Sequence, residues 1–199
     1  LSRLYNPAVG TVQVDGHDLT QLDLMSWRRR VAVAPQRPFL FSESIAENVG
    51  LGGTASAAEI EEAVELAALT ADLKVLPEGI DTVVGQRGIM LSGGQRQRVA
   101  LARALVRRGD LVLLDDVLSA VDHATEQRLV KAIRGEGRGR EGNPTVVIVS
   151  QRLSAIRHAD RIFVLDEGRL VDSGTHQELV ARPGLYQESW DVQRTGEEQ

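Results

Sequence analysis

Two unbroken aliphatic runs, Leu111-Val112-Leu113-Leu114 and Val146-Val147-Ile148-Val149, constrain this chain more than any other feature. A strand with one face in water alternates apolar and polar residues, whereas a run without alternation belongs to a parallel strand covered by helices on both faces. The first run follows a stretch with helical spacing, where Val99, Ala102, Leu105 and Val106 share one side and arginines occupy the other. Strand, loop, helix and strand in this succession predict an α/β fold with a mostly parallel sheet core. Both runs fall far short of the roughly 20 apolar residues a membrane-crossing helix requires. Nothing in the chain resembles a signal peptide.

Elsewhere the local signals are shorter. Thr11 to Val14 alternates and ends in Asp15-Gly16, a strand entering a tight turn at a hairpin edge. Val31 to Ala34 is a second short strand, stopped by Pro35, because proline supplies no donor to a ladder. Gln36 therefore sits just past a strand end. Ser56 with Glu59 forms a capping box for a helix whose Ile60, Ala63, Val64 and Ala67 lie on one face. This helix belongs to a helical subdomain expected at about 43–108. After the loop Pro77 to Gly88, Leu91-Ser92-Gly93-Gly94 opens the next helix. Near the end, an Asp166-Glu167-Gly168 turn joins Ile162 to Leu165 with Leu170 to Val171, a small antiparallel portion, and Thr175 with Glu178 caps a further helix. The run Arg28-Arg29-Arg30 reads as a solvated helix face, and Trp27 and Trp190 as packing residues.

With 199 residues, 42% of them hydrophobic, the chain has enough apolar material for one domain with a real core, and a single domain over 1–199 is expected. A net charge of -5 argues against a nucleic-acid partner, since such proteins concentrate Lys and Arg to neutralise phosphates. Without cysteine there is neither a disulfide framework nor a thiolate metal site, and the four histidines lack ligand spacing.

Two places carry chemistry. The strand Leu111 to Leu114 ends in Asp115-Asp116, which puts two carboxylates at the carboxyl edge of a parallel sheet, where open α/β folds bind ligands. Read alone, the pair serves equally well as a helix cap or a loop. Leu91-Ser92-Gly93-Gly94-Gln95 puts a serine, two glycines and a helix start together, so exposed N–H groups and the helix dipole can hold phosphate. Its plainer reading is a glycine-rich helix start.

Taken together, LSGGQRQRVALARAL and LVLLDDVLSAVD resemble the ATP-binding cassette family in order and spacing. Val33-Ala34-Pro35-Gln36 resembles the loop whose glutamine reaches magnesium and the attacking water. Ser119-Ala120-Val121-Asp122 resembles the loop that crosses the dimer seam. Thr82-Val83-Val84-Gly85-Gln86-Arg87-Gly88 is similar to the exporter segment that faces the coupling helices of the membrane domain. Gly174-Thr175-His176-Gln177-Glu178-Leu179 resembles the cassette ending, so the likeness runs from Leu1 to about Tyr186.

The resemblance implies a P-loop NTPase-like fold and two cassettes that sandwich two ATP molecules, each held between the phosphate loop of one subunit and the signature of the other. It assigns Ser92, Gly93, Gly94, Gln95 and Asp122 to ATP, Gln36 and Asp115 to Mg2+, and Asp116, Gln151 and Gln36 to catalysis. The implied partners are a second cassette and the coupling helices, at the cytoplasmic face of the cell membrane. No G-x-x-x-x-G-K-[ST] occurs in the chain. The opening Leu1 to Pro7 resembles the segment beyond that loop and its helix, so the chain is expected to be a fragment lacking the first strands and the phosphate loop, inactive by itself.

Two departures from the family pattern bear on activity. Where the family places a glutamate as general base, this chain has Asp116, shorter by one methylene or about 1.5 Å. A displacement near 1 Å can cost on the order of a hundredfold in rate. Where the family has a histidine on the γ-phosphate, this chain has Gln151, which can hydrogen-bond but cannot become an imidazolium. The expectation is a degenerate site beside an intact signature, as in one half of a heterodimeric exporter. A soluble cassette of nucleic-acid maintenance or translation is the alternative, along with a non-hydrolysing regulatory cassette. Those soluble architectures carry a coiled coil or second cassette, and the interval from Gln36 to Ser92 leaves room for only a small helical subdomain.

Overall fold

The computed structural model describes residues 1–51, 55–85, 88–117, 125–126, 129 and 144–197. Its residues fall into two compact units, Leu1–Val149 and Ser150–Gln199.

The first unit begins with the hairpin of β1 (Gln13–Val14) and β2 (His17–Asp18). Asp15 and Gly16 both take positive φ, 50° and 79°, as a two-residue turn with right-handed twist requires. Asp18 then caps the 3-10 turn Leu19–Gln21, and Asp23 caps α1 (Leu24–Arg29), each accepting a backbone N–H at 2.8 Å. The expected packing role of Trp27 holds: it is buried with Leu19, Val31 and Leu111. Only part of the arginine run is solvated. Arg28 is half-buried and donates to the carbonyls of Ser2 and Arg3, while Arg29 and Arg30 are exposed as expected, Arg30 pairing with Asp110 in water.

The sheet is parallel, in the order β3 (Val31–Ala34), β4 (Leu111–Asp115) and β5 (Thr145–Val149), with Ala34 beside Leu114 and Asp115 beside Val149. The central strand is buried along most of its length, as its unbroken aliphatic run predicts. β5 is less covered than its sequence suggests: it lies at the edge of this sheet, its middle is half-buried, and Val149 is exposed.

Helix α5 (Gly93–Arg107) packs on β3 and buries Val99, Ala102 and Leu105, while Val106 is only half-buried. Its arginines are not all turned to water. Arg103 donates to the carbonyls of Asn48 (2.7 Å) and Phe39 (3.1 Å) and to Asn48 Oδ1 (3.0 Å), and burial lowers its pKa. Against α5 lie α2 (Ile45–Val49) and α3 (Ala57–Leu66), each opened by a complete capping box, Ser44 with Glu47 and Ser56 with Glu59. A short α4 (Thr70–Leu73) follows. Two glycines shape the next segment. Gly85 has φ 100°, and a Cβ at Gly88 would stand 2.3 Å from the Val83 carbonyl.

The second unit holds α6 (Leu153–Ile156), the antiparallel pair β6 (Ile162–Asp166) and β7 (Arg169–Gly174), α7 (His176–Val180) and α8 (Leu185–Glu197). Glu167 and Gly168, with φ 46° and 75°, make the turn. Thr175 and Glu178 complete the capping box read from the sequence. Leu153, Ile162, Leu179 and Tyr186 form its core, with Trp190 packed against them. The Tyr186 hydroxyl meets His176 Nδ1 at 2.9 Å, and burial pushes its pKa up to about 12. Among the described residues no helix is long and apolar enough to cross a membrane.

Candidate functional site

Strand β3 ends at Ala34, and Pro35 prevents the ladder from continuing through it. Strand β4 runs one residue further, to Asp115. The parallel register pairs Ala34 with Leu114, so Gln36 follows the end of β3 at the same edge of the sheet where Asp115 ends β4 and Asp116 leaves it. Three residues expected at the ligand edge thus share the carboxyl end of the sheet. Gln36 and Asp115 are exposed and Asp116 is half-buried. Asp116 has φ 50°, and its N–H bonds the Val149 carbonyl at 2.8 Å, so the chain turns sharply as it leaves the strand. Aspartate tolerates that left-handed geometry better than most side chains. The oxygens of Gln36 and Asp115 suit a hard cation such as Mg2+, which takes one or two carboxylates and keeps several waters.

The loop after Gln36 is fastened to α5 from two sides. Gln97 Nε2 donates to the Gln36 carbonyl at 3.3 Å. Asn48, fully buried, then holds the loop through Phe41, whose N–H it accepts at 2.9 Å and whose carbonyl it donates to at 3.1 Å. Arg103 of α5 contacts the same Asn48.

The amino end of α5 is a closed capping box. Ser92 is the N-cap: its Oγ accepts from Gln95 N at 3.2 Å, and its N–H donates to Gln95 Oε1 at 2.8 Å. No acidic residue stands in the first turn to meet the positive end of the helix dipole. A Cβ built at Gly93 would meet nothing within 4 Å, so the fold of this chain does not require glycine there. An alanine would stabilise an exposed helix start, so packing within this chain gives no reason for the glycine. The Gln95 side chain is engaged within the chain, its amide bridging Ser92 and Asp72 (3.2 Å).

The remaining predicted residues lie elsewhere. Gln151 belongs to the second unit, exposed, with its carbonyl accepting from Gln193 Nε2 at 2.8 Å. Asp122 and its loop, with Gln86 and Arg87, lie outside the described residues. In the rest of that exporter-like segment, Ile45 N–H donates to the Thr82 carbonyl at 3.1 Å, and Val84 N–H to the Glu43 carbonyl at 3.0 Å. A groove of about 310 Å3 near the carboxyl end of α5, lined by Arg29, Leu51 and Arg107 among others, contains none of the predicted residues. Sequence reading missed Asn48, Arg103 and Asp72. Only Asn48 had a visible signal nearby, the capping pair Ser44 and Glu47.

A family model described as ABC transporter matches residues 1–119. ATP-binding cassette sub-family B member 10, mitochondrial, of Mus musculus is 42% identical over 198 residues, covering 97% of this chain and 27% of that protein. The ATP-dependent lipid A-core flippase of Alkalilimnicola ehrlichii is 41% identical over 198 residues, covering 98% of this chain and 33% of that protein. A solved structure of a bacterial Atm1-family ABC exporter with ATP bound aligns with TM-score 0.87 at 39% identity, covering 98% of this chain and 34% of that one. The chain thus spans about a third or less of the length of these relatives.

Proposed function

Because this chain belongs to the ABC transporter family, we propose that it works as the ATP-binding part of an exporter, coupling closure of two cassettes to movement of a substrate across a membrane. The observation that carries this reading is the amino end of α5, where Ser92, Gly93 and Gly94 form a capped turn without an acid and with open space at Gly93. In the complete transporter this turn, with Gln95 closing its capping box, meets the γ-phosphate of ATP held by a second cassette, and Asp122 serves the same seam. The Thr82 to Gly88 segment faces the coupling helices of a membrane domain, at the cytoplasmic face of the cell membrane.

At the sheet edge, Gln36 and Asp115 are the groups that would hold Mg2+, and the ion when bound neutralises phosphate charge. Asp116 occupies the position of a general base, with a side chain one methylene short of glutamate. Gln97 ties the Gln36 carbonyl to α5, and Asn48 ties Phe41 of the same loop to α2 and, through Arg103, to α5. Gln151 can donate a hydrogen bond to a phosphate oxygen but cannot carry a proton near neutral pH. Asp116 and Gln151 together support a degenerate site in this chain, with the competent site completed by Ser92 to Gln95 on a non-identical partner cassette.

Steady-state ATPase of the full-length transporter with its second cassette tests the assignment. Ser92→Ala removes a donor from the competent site and is expected to lower turnover about 10²-fold. Asp116→Asn is expected to change it by less than about threefold, whereas loss of a working base costs about 10² to 10⁴. If Asp116→Asn abolishes turnover as fully as Ser92→Ala does, Asp116 is a functioning base and a homodimer is the better reading.

A further inference from the structure

We infer that Asp72 is a positioning residue for the signature turn, fixing through the Gln95 amide the backbone of Ser92 at the start of α5. Asp72 stands on α4, and its carboxylate accepts three hydrogen bonds: from Gln95 Nε2 at 3.2 Å, from Arg98 Nε at 2.8 Å and from Arg98 Nη2 at 3.1 Å. Gln95 and Arg98 are three apart on α5, so both point at the same neighbour. The ion pair is largely screened from water, with side-chain exposures of 17% for Asp72 and 19% for Arg98. A charge-assisted, two-pronged contact of this kind fixes geometry as well as adding energy.

The consequence lies in the polarity of an amide. A glutamine side chain has one accepting and one donating end of nearly the same shape. With Nε2 committed to Asp72, Oε1 is turned to the Ser92 N–H, where it accepts at 2.8 Å. The reversed amide would set NH2 against the Ser92 N–H, donor against donor. Ser92 Oγ accepts from the backbone N–H of Gln95 at 3.2 Å, so what the amide holds is the Ser92 N–H and with it the backbone of the turn. Asp72 thereby steadies the turn from behind, through Gln95. It can act only if Ser92 and Gly93 meet the phosphates of ATP, so the inference rests on the function proposed above.

The test is ATPase activity against ATP concentration in the full-length transporter with its second cassette, together with thermal melting of each variant. Asp72→Ala is expected to raise KM for ATP about tenfold, because a loosened turn loses contacts made to bound nucleotide. A purely structural loss would reduce the active fraction, lowering kcat at unchanged KM. The exchange of Asp72→Arg with Arg98→Asp restores the ion pair and is expected to restore the melting temperature. KM should stay high in the exchanged pair, since an arginine at 72 offers Gln95 no acceptor. Asp72→Asn preserves shape but leaves one oxygen for which Gln95 and Arg98 compete, and is expected to raise KM about threefold. The inference is overturned if Asp72→Ala leaves KM within about twofold of wild type, or if the exchanged pair restores KM along with stability. Ser92→Ala serves as the reference. If it alone is impaired, the Asp72 inference fails and the reading of the turn survives; if neither variant is impaired, both fail.

Discussion

Asp116 bears two demands at once. Its φ of 50° suits aspartate, whose short side chain tolerates left-handed backbone, while a general base on this strand end calls for the longer reach of glutamate. Gln151 follows Ser150, whose Oγ accepts from Arg152 N at 3.0 Å, and so starts the second unit within a tight turn. On the function proposed above Asp116 and Gln151 are both deficient, and replacing one leaves the other in place, because a base and a γ-phosphate contact act as a unit. Asp116→Glu together with Gln151→His is therefore expected to raise hydrolysis at this chain's own site by more than the product of the single effects. To isolate that site, turnover is measured in the full-length transporter with the second cassette's own site inactivated. A double variant that is silent or merely multiplicative means that another defect limits the site.

At the scale of elements, the helical layer is held to the sheet by polar contacts as much as by apolar ones. Asn48 caps no helix. It sits fully buried at the fourth position of α2, committing its amide to Phe41 and accepting Arg103 from α5. Asn48→Ala would strand the Phe41 N–H and carbonyl and part of the Arg103 fork, groups only partly shielded from water, where a fully buried one would cost about 1 to 3 kcal/mol. Loss of about 2 kcal/mol is expected, read as a lowered midpoint in urea unfolding of the full-length protein at unchanged slope. A loss below about 1 kcal/mol would mean that water replaces these partners without penalty. The strands and helix starts were legible because their chemistry is local: an aliphatic run, a proline stop, Ser56 three residues before Glu59. The pairs that join elements were not. Arg103 lies 55 residues from Asn48 and Gln95 lies 23 from Asp72, separations over which no period or local pattern carries a signal. α2 was missed for a different reason, since five residues are too few to show helical periodicity even behind a clear capping pair. Of the site, residue types and order were readable, whereas the left-handed turn at Asp116 and the bare space at Gly93 emerge only from backbone geometry.

At the scale of the whole molecule, the 199 residues carry the turn proposed as the signature and no G-x-x-x-x-G-K-[ST], the motif whose amides and lysine grip the β- and γ-phosphates. The signature turn alone offers a helix start, a weak site whose hold on an anion is a few tenths to about 2 kcal/mol. Mg·ATP is therefore expected to bind this chain, expressed by itself, no tighter than about 1 mM, equivalent to roughly 4 kcal/mol. Folding should suffer in parallel. Among the described residues the parallel sheet has three strands, and large apolar side chains such as Tyr5, Phe39, Met90 and Phe163 are left in water. Apolar side chains in water favour association. The chain alone is thus expected to melt broadly and to associate as its concentration rises. Calorimetric titration with Mg·ATP and scanning calorimetry at two protein concentrations check both expectations. A micromolar dissociation constant would place a phosphate grip somewhere in these residues that the sequence does not display. A single sharp transition, independent of concentration, would mean that the two units already form one cooperative body and that the exposed side chains need no covering partner.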